Sequence, residues 1–505
     1  MPLPNTLPVI VRLMAFVLTA LLLGAPAQQL AYAAEPAPAP QLPAEIAPQA
    51  AALLPEFQGD LADTSAWDRY TIDATLNPDT RTIAGRQSLV YTNRDSVALD
   101  AVYLRLFPNL PEFGGRLDVS NVTVDGVPVR SSYERARFAL RVPLPQPLEP
   151  GAGATIALQF SARTPLNGAS RYYGAFNTEG GVMALASFYP LVASVRDGVW
   201  QTARPHARGD FVNSVSALYD VILNAPGGWS LVTTGSAIEY RATNGRQVAR
   251  FVSGPQRDFT IAATRLRVVS TEVDGTRINS YYRAGNTAAG EMALQVAAES
   301  LRIFNARFGR YPLTELDIVQ FDARKFLGVE YPGLVFIDSR LYTGRDGLEI
   351  TVAHEVAHQW WYSLVGNDVQ REAWLDEALA SYSQVIYLEE RYGAEAAARE
   401  LARFRSTYLR ARQSGLDGTI ARPVTDFRGN YVALVYSKGA LFFGALRQQI
   451  GDEAFNRFLH DYYASQRYRE ATGVVLLATA EAACSCELAA FYRDWIETAA
   501  VVSLP

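Results

Sequence analysis

The chain has 505 residues, of which 49% are hydrophobic and 19% charged, with a net charge of −5. That length suits two or three domains, each with a sizeable core. The charge balance gives no footing for nucleic acid as a partner. Two cysteines, Cys484 and Cys486, rule out a disulfide framework. One residue apart, they could pair over a short range or remain two inert thiols on a late helix.

Arg12 precedes an apolar run from Leu13 to Leu23, and Ala31-Tyr32-Ala33 follows as a small-residue cleavage site. The run is short for a bilayer span, so residues 1–34 read as a signal peptide and predict an exported protein. An uncleaved anchor is the lesser alternative. No membrane span is expected in the mature chain. Residues 35–62 open on a Pro- and Ala-rich stretch and are expected to form a linker with no core of its own.

From about Trp67 onward the period is two. Tyr70, Ile72, Ala74 and Leu76 alternate with polar residues, and Asn77-Pro78-Asp79 turns the chain into a second alternating run. Asp125-Gly126 and Asp274-Gly275 are hairpin signals. Residues 63–270 are therefore predicted as an antiparallel β domain, a sandwich or saddle, with no cluster that would do chemistry. Residues 271–505 change character. Met292, Val296, Leu301 and Phe304 mark a long helix stopped by Gly309. Short strands are expected at 316–321 and 334–337, and helical periodicity dominates from Leu348 almost to the end. Arginines in the stretch from Leu401 to Arg412 read as one solvated helix face.

The informative segment is His354-Glu355-Val356-Ala357-His358, inside a helix predicted over 348–365 and ended by Gly366. Residues four apart sit one turn above each other, so two imidazoles can grip one zinc ion. Glu355, one residue round, can reach a water beside the metal without being a ligand. Two of the chain's four histidines lie in this pattern. Glu377 lies 19 positions after His358 (377 − 358), enough for a turn and a return helix to supply the third ligand. Two imidazoles and one carboxylate leave an open coordination position, the composition of a catalytic rather than a closed structural site. His206 and His460 have no such company and read as ordinary histidines. Asp376 is either an outer partner of a ligand histidine or a charge at a helix N-terminus.

HEVAHQWW at His354–Trp361 followed by WLDEALASY resembles the gluzincin zinc peptidases of the aminopeptidase N type. Gly328-Val329-Glu330-Tyr331 lies where that family carries its Gly-x-Met-Glu-Asn motif. Val435-Tyr436-Ser437-Lys438-Gly439 lies where it carries Tyr-x-Lys-Gly. The resemblance implies an N-terminal β-saddle followed by a thermolysin-like catalytic domain, and one zinc per chain. It implies Glu355 as general base, Tyr436 as oxyanion donor, and Glu330 with Gly328 as the substrate-amine site. Peptides are the implied substrates. Val329 and Tyr331 depart from the family's Met and Asn. The counterpart of its second amine anchor, Leu185 to Pro190, holds no acidic residue. An endopeptidase or dipeptidase therefore stays open beside an aminopeptidase, and a non-catalytic scaffold on the same fold is a further alternative. Side-chain preference and oligomeric state are not legible.

Overall fold

The computed structural model describes residues 42–165, 175–323, 325–344 and 347–505. The signal-peptide segment lies outside the described residues. Among those described, no helix is long and apolar enough to cross a membrane.

Eight strands form the largest sheet: β1 (Asp68–Asn77), β2 (Thr82–Thr92), β3 (Arg116–Val124), β4 (Val127–Pro128), β5 (Gly153–Arg163), β6 (Ala217–Pro226), β7 (Ser236–Thr243) and β8 (Arg246–Val252). Their order is β7-β8-β6-β1-β2-β5-β3-β4. All neighbours are antiparallel except β1 and β6. Tyr70, Ile72, Ala74 and Leu76 all point inward, as the period-two pattern requires. The β1–β2 turn follows Asn77, whose side chain accepts from the backbone of Asp79 and Thr80. Asp125 and Gly126 both take positive φ, the conformation a two-residue hairpin turn needs. Two four-stranded sheets pack with the large one around a shared apolar core.

The second part is α+β. Its five-stranded sheet contains β9 (Arg267–Val273), β10 (Thr276–Tyr282), β11 (Glu315–Phe321), β12 (Gly328–Tyr331) and β13 (Leu334–Asp338), in the order β9-β10-β11-β13-β12. This sheet begins at Arg267, a few residues before the boundary expected at 271, because β9 forms a hairpin with β10 across Asp274-Gly275. The edge strand β12 is antiparallel to β13 and carries Glu330. Helix α1 (Thr287–Phe308) packs on β9 and β10 and ends at Gly309, whose φ is 118°. Helices α2 (Leu348–Ala357), α3 (Trp374–Tyr392), α4 (Ala394–Gln413), α5 (Gly439–Ile450), α6 (Asp452–Gln466) and α7 (Gly473–Cys484) complete it.

Three expectations need correction. Residues 42–62 are not a free linker. Ile46, Leu53 and Leu61 join the catalytic core, and Leu54 N–H donates to Pro312 O at 2.8 Å. Burying those apolar side chains offsets the ordering of a Pro/Ala-rich stretch. Helix α2 ends at Ala357, not near 365. Every residue from Thr351 to Asn367 is buried, so the chain leaves the helix to seat both tryptophans. Trp360 donates to Gly309 O and Trp361 to Ser383 Oγ. Strand β12 was not anticipated as regular structure at all. The cysteine alternative resolves as a Cys484–Cys486 disulfide.

Candidate active site

Helix α2 carries His354 and Glu355, and His358 follows as its C-cap in a still-helical conformation, so the one-turn spacing is kept and both histidine Nε2 atoms stand 3.1 Å apart. Helix α3 crosses it and brings Glu377 Oε2 to 3.2 Å from His354 Nε2 and 3.4 Å from His358 Nε2. Zinc bonds of 2.0–2.1 Å in a tetrahedron space their ligand atoms about 3.3 Å apart. The three donors already stand at that spacing, all buried.

The outer contacts fit a metal too. His358 Nδ1 lies 2.9 Å from Trp361 O and so carries the proton, leaving Nε2 with its lone pair. His354 Nδ1 lies 3.1 Å from the Gln384 amide, whose buried Oε1 has no partner. Turning that amide so its oxygen faces Nδ1 satisfies both groups and frees His354 Nε2 as a ligand. The residues present therefore fit a zinc ion.

Glu355 lies between the histidines in sequence but faces β12. A Cβ on Gly328 would sit 2.3 Å from Glu355 Oε1, so glycine there lets the carboxylate pack against the strand. Burial first, then the charge of Glu330, pushes the Glu355 carboxyl well above its ordinary value. Glu330 is 5% exposed and forms no ion pair among the described residues. Glu330, Glu355 and His358 also converge. With His358 Nδ1 held by Trp361 O, its single free nitrogen belongs to the first trio.

Tyr436 lies on a π-helical stretch, Val432–Lys438, leading into α5. Extra-wide helical turns of this kind redirect side chains and occur at functional sites. The phenol donates to Glu377 Oε1, and its ring stacks on His354 at 5.9 Å. Close helix packing makes this possible. A Cβ on Gly439 would stand 2.4 Å from the Ala378 Cβ. Lys438 is fully buried, donates to Gly418 O and holds the loop opposite. Asp376 accepts from Glu377 N–H within the first turn of α3 and bonds no histidine, the helix-terminus alternative. His460 is exposed beside Asp461, and His206 is half-buried in a loop, both outside the ligand set.

A cavity of about 470 Å³ unites His354, His358, Glu377, Glu355, Glu330, Gly328 and Tyr436. It also contains Asp210, from the β domain, which the sequence reading assigned no chemistry. Burial first, then Glu377 and Asp376, pushes the Asp210 carboxyl well above its ordinary value. The one signal that could have found it is local: His206 to Asp210 is polar and Gly-containing, the composition of an ordered loop.

A metal gripped by helix-borne histidines, with a carboxylate base facing a substrate-sized cavity, is the working arrangement of zinc peptidases. That is the class this fold and site define. More particularly, residues 292–495 match the Peptidase family M1 domain. Aminopeptidase M1-B of Oryza sativa subsp. japonica is 30% identical over 234 residues, 42% of this chain and 26% of that protein. Endoplasmic reticulum aminopeptidase 2 of Bos taurus is 23% identical over 353 residues, 65% of this chain and 36% of its own. The chain thus spans well under half the length of these relatives. An M1 zinc metallopeptidase from Deinococcus radiodurans shares the fold, with a TM-score of 0.67 at 22% identity. That match covers 86% of this chain and 95% of the other.

Proposed function

We propose that the protein is an exported zinc aminopeptidase that removes N-terminal residues from peptides. The observation carrying this reading is Glu330, a buried carboxylate in the catalytic cavity that forms no ion pair among the described residues. A buried charge without a partner is costly, and a substrate's free α-ammonium supplies one. Relatives named as aminopeptidases support it, as does a Deinococcus radiodurans M1 neighbour described as bound to a Tyr-ser-ala substrate. Export is supported by the N-terminal apolar run and by the Cys484–Cys486 disulfide, a bond that persists in oxidising compartments.

His354, His358 and Glu377 would hold the zinc. Bound in such a ligand set, zinc acidifies water and polarises a carbonyl oxygen. Glu355 takes the proton from the attacking water and passes it to the leaving amine. Glu330 fixes the substrate's amino end, so that the first peptide bond lies over Glu355. Tyr436 exchanges its hydrogen bond to Glu377 for one to the developing oxyanion. Endopeptidase action is the second reading, kept by the absence of any acid from Leu185 to Pro190.

Matched fluorogenic peptides, free-amine and N-acetylated, measured with and without a zinc chelator, test the proposal. Chelator-sensitive cleavage of the free-amine set alone is the expected result. Equal cleavage of blocked peptides would replace the aminopeptidase reading with the endopeptidase one.

A further inference from the structure

We infer that Asp210 completes the amine site, its carboxylate and that of Glu330 holding the substrate's α-ammonium between them. The inference rests on the aminopeptidase reading and adds to it a residue from the other half of the molecule. Asp210 belongs to the loop before β6, yet that loop is mounted on the catalytic lobe. Gln370 accepts from His206 N–H at 2.7 Å and donates to Asp210 O at 2.6 Å. Arg208 donates to the carbonyls of Val424 and Phe427. Gly209, at φ +71°, lies so close to Tyr431 that a Cβ would stand 2.6 Å from its hydroxyl. These contacts fix the backbone on both sides of one side chain, and that side chain faces the cavity.

None of the fixing bonds uses the Asp210 carboxylate. Among the described residues it takes part in no hydrogen bond and no ion pair, and the carboxylate of Glu330 meets only its own backbone N–H. An aspartate placed for structure would be expected to accept a backbone N–H or pair with an arginine. Charge counting gives the same answer. A bound zinc would bring two positive charges against five neighbouring carboxylates, those of Glu377, Glu355, Glu330, Asp210 and the buried Asp376, leaving an excess of negative charge. Among the described residues, the one cationic side chain lining the cavity is Lys325, which is exposed, so solvent screens it. An alkylammonium group offers three N–H donors and one positive charge, enough to bridge two carboxylates. The segment from Leu185 to Pro190, where the resembled family has its second anchor, offers no carboxylate of its own.

The test uses the zinc-loaded full chain, a free-amine dipeptide fluorogenic amide and its N-acetyl form. Asp210→Asn should raise KM for the free-amine substrate by about tenfold to a hundredfold, the worth of one charge-assisted hydrogen bond. Zinc content should remain one per chain and kcat should change little. Asp210→Glu should recover part of the loss, and Asp210→Ala should reproduce it if the asparagine variant folds poorly. An unchanged KM in Asp210→Asn, with a raised KM in Glu330→Gln, overturns the role of Asp210 and leaves the aminopeptidase reading standing. Wild-type cleavage of the acetylated substrate at a comparable rate overturns the reading itself.

Discussion

The β domain and the catalytic lobe put function on different kinds of structure. In the lobe, the functional side chains lie on regular elements or directly at their ends: two on α2 and one at its C-cap, one on α3, one on β12 and one on the π stretch before α5. In the β domain the sheets are scaffold, and the single cavity carboxylate sits on a loop. The loop is held by Gln370, 160 positions away in sequence. Helix geometry turns sequence spacing into distance, so a lobe site can be read from spacing. A loop positioned by long-range bonds has no such conversion.

The largest effect should come from the lobe. Glu355→Gln keeps volume and removes the base, so hydrolysis should fall by about 10²–10⁴. Zinc content and thermal midpoint should stay at wild-type values, since no described residue hydrogen-bonds that carboxylate. Retained activity would remove Glu355 from the chemistry. A drop in zinc content would make it a ligand and redraw the boundary between site and scaffold.

The metal trio was legible because His354 and His358 are one turn apart and α3 returns at once. The end of α2 was not, since a stretch buried on every side has no polar face to mark where the helix stops. Residues 42–62 misled by composition: Pro and Ala suggest a tether, while Ile46, Leu53 and Leu61 decide the outcome by burial. Tyr436 was reached only through family likeness, because one of 26 tyrosines carries no local signal. Its placement depends on Gly439 meeting Ala378, a contact between elements about sixty residues apart. Gly439→Ala therefore tests the lobe's reliance on packed elements. Overpacking there should cost about 1–3 kcal/mol of stability. It should also cost about tenfold in kcat by shifting the phenol, a fraction of what losing an oxyanion donor outright costs. Adding Ala378→Gly should recover much of both losses. Additive losses in a double-mutant cycle would mean the two positions do not constrain each other.

The smallest effect should come from the β-domain side and leave catalysis alone. Asp258 is fully buried, and neither of its carboxylate oxygens has a partner. Burial raises its pKa to about 7, with the Arg257 charge opposing. Because the folded value lies above the unfolded one, the native state binds the extra proton. Stability is therefore greatest at low pH and declines as pH rises toward the folded pKa, levelling off above about 7. At 1.36 kcal/mol per pKa unit, the decline between about pH 5.5 and 7.5 is on the order of 2 kcal/mol. Asp258→Asn removes that titration, so the variant should gain on wild type as pH rises across this window. The difference in thermal midpoint, read at both pH values on zinc-loaded protein, isolates the effect from metal loss. KM and kcat should be unchanged. A pH-independent difference would mean that Asp258 is already paired, by a buried water bridging it to the equally unpartnered Gln256 and Thr260 side chains.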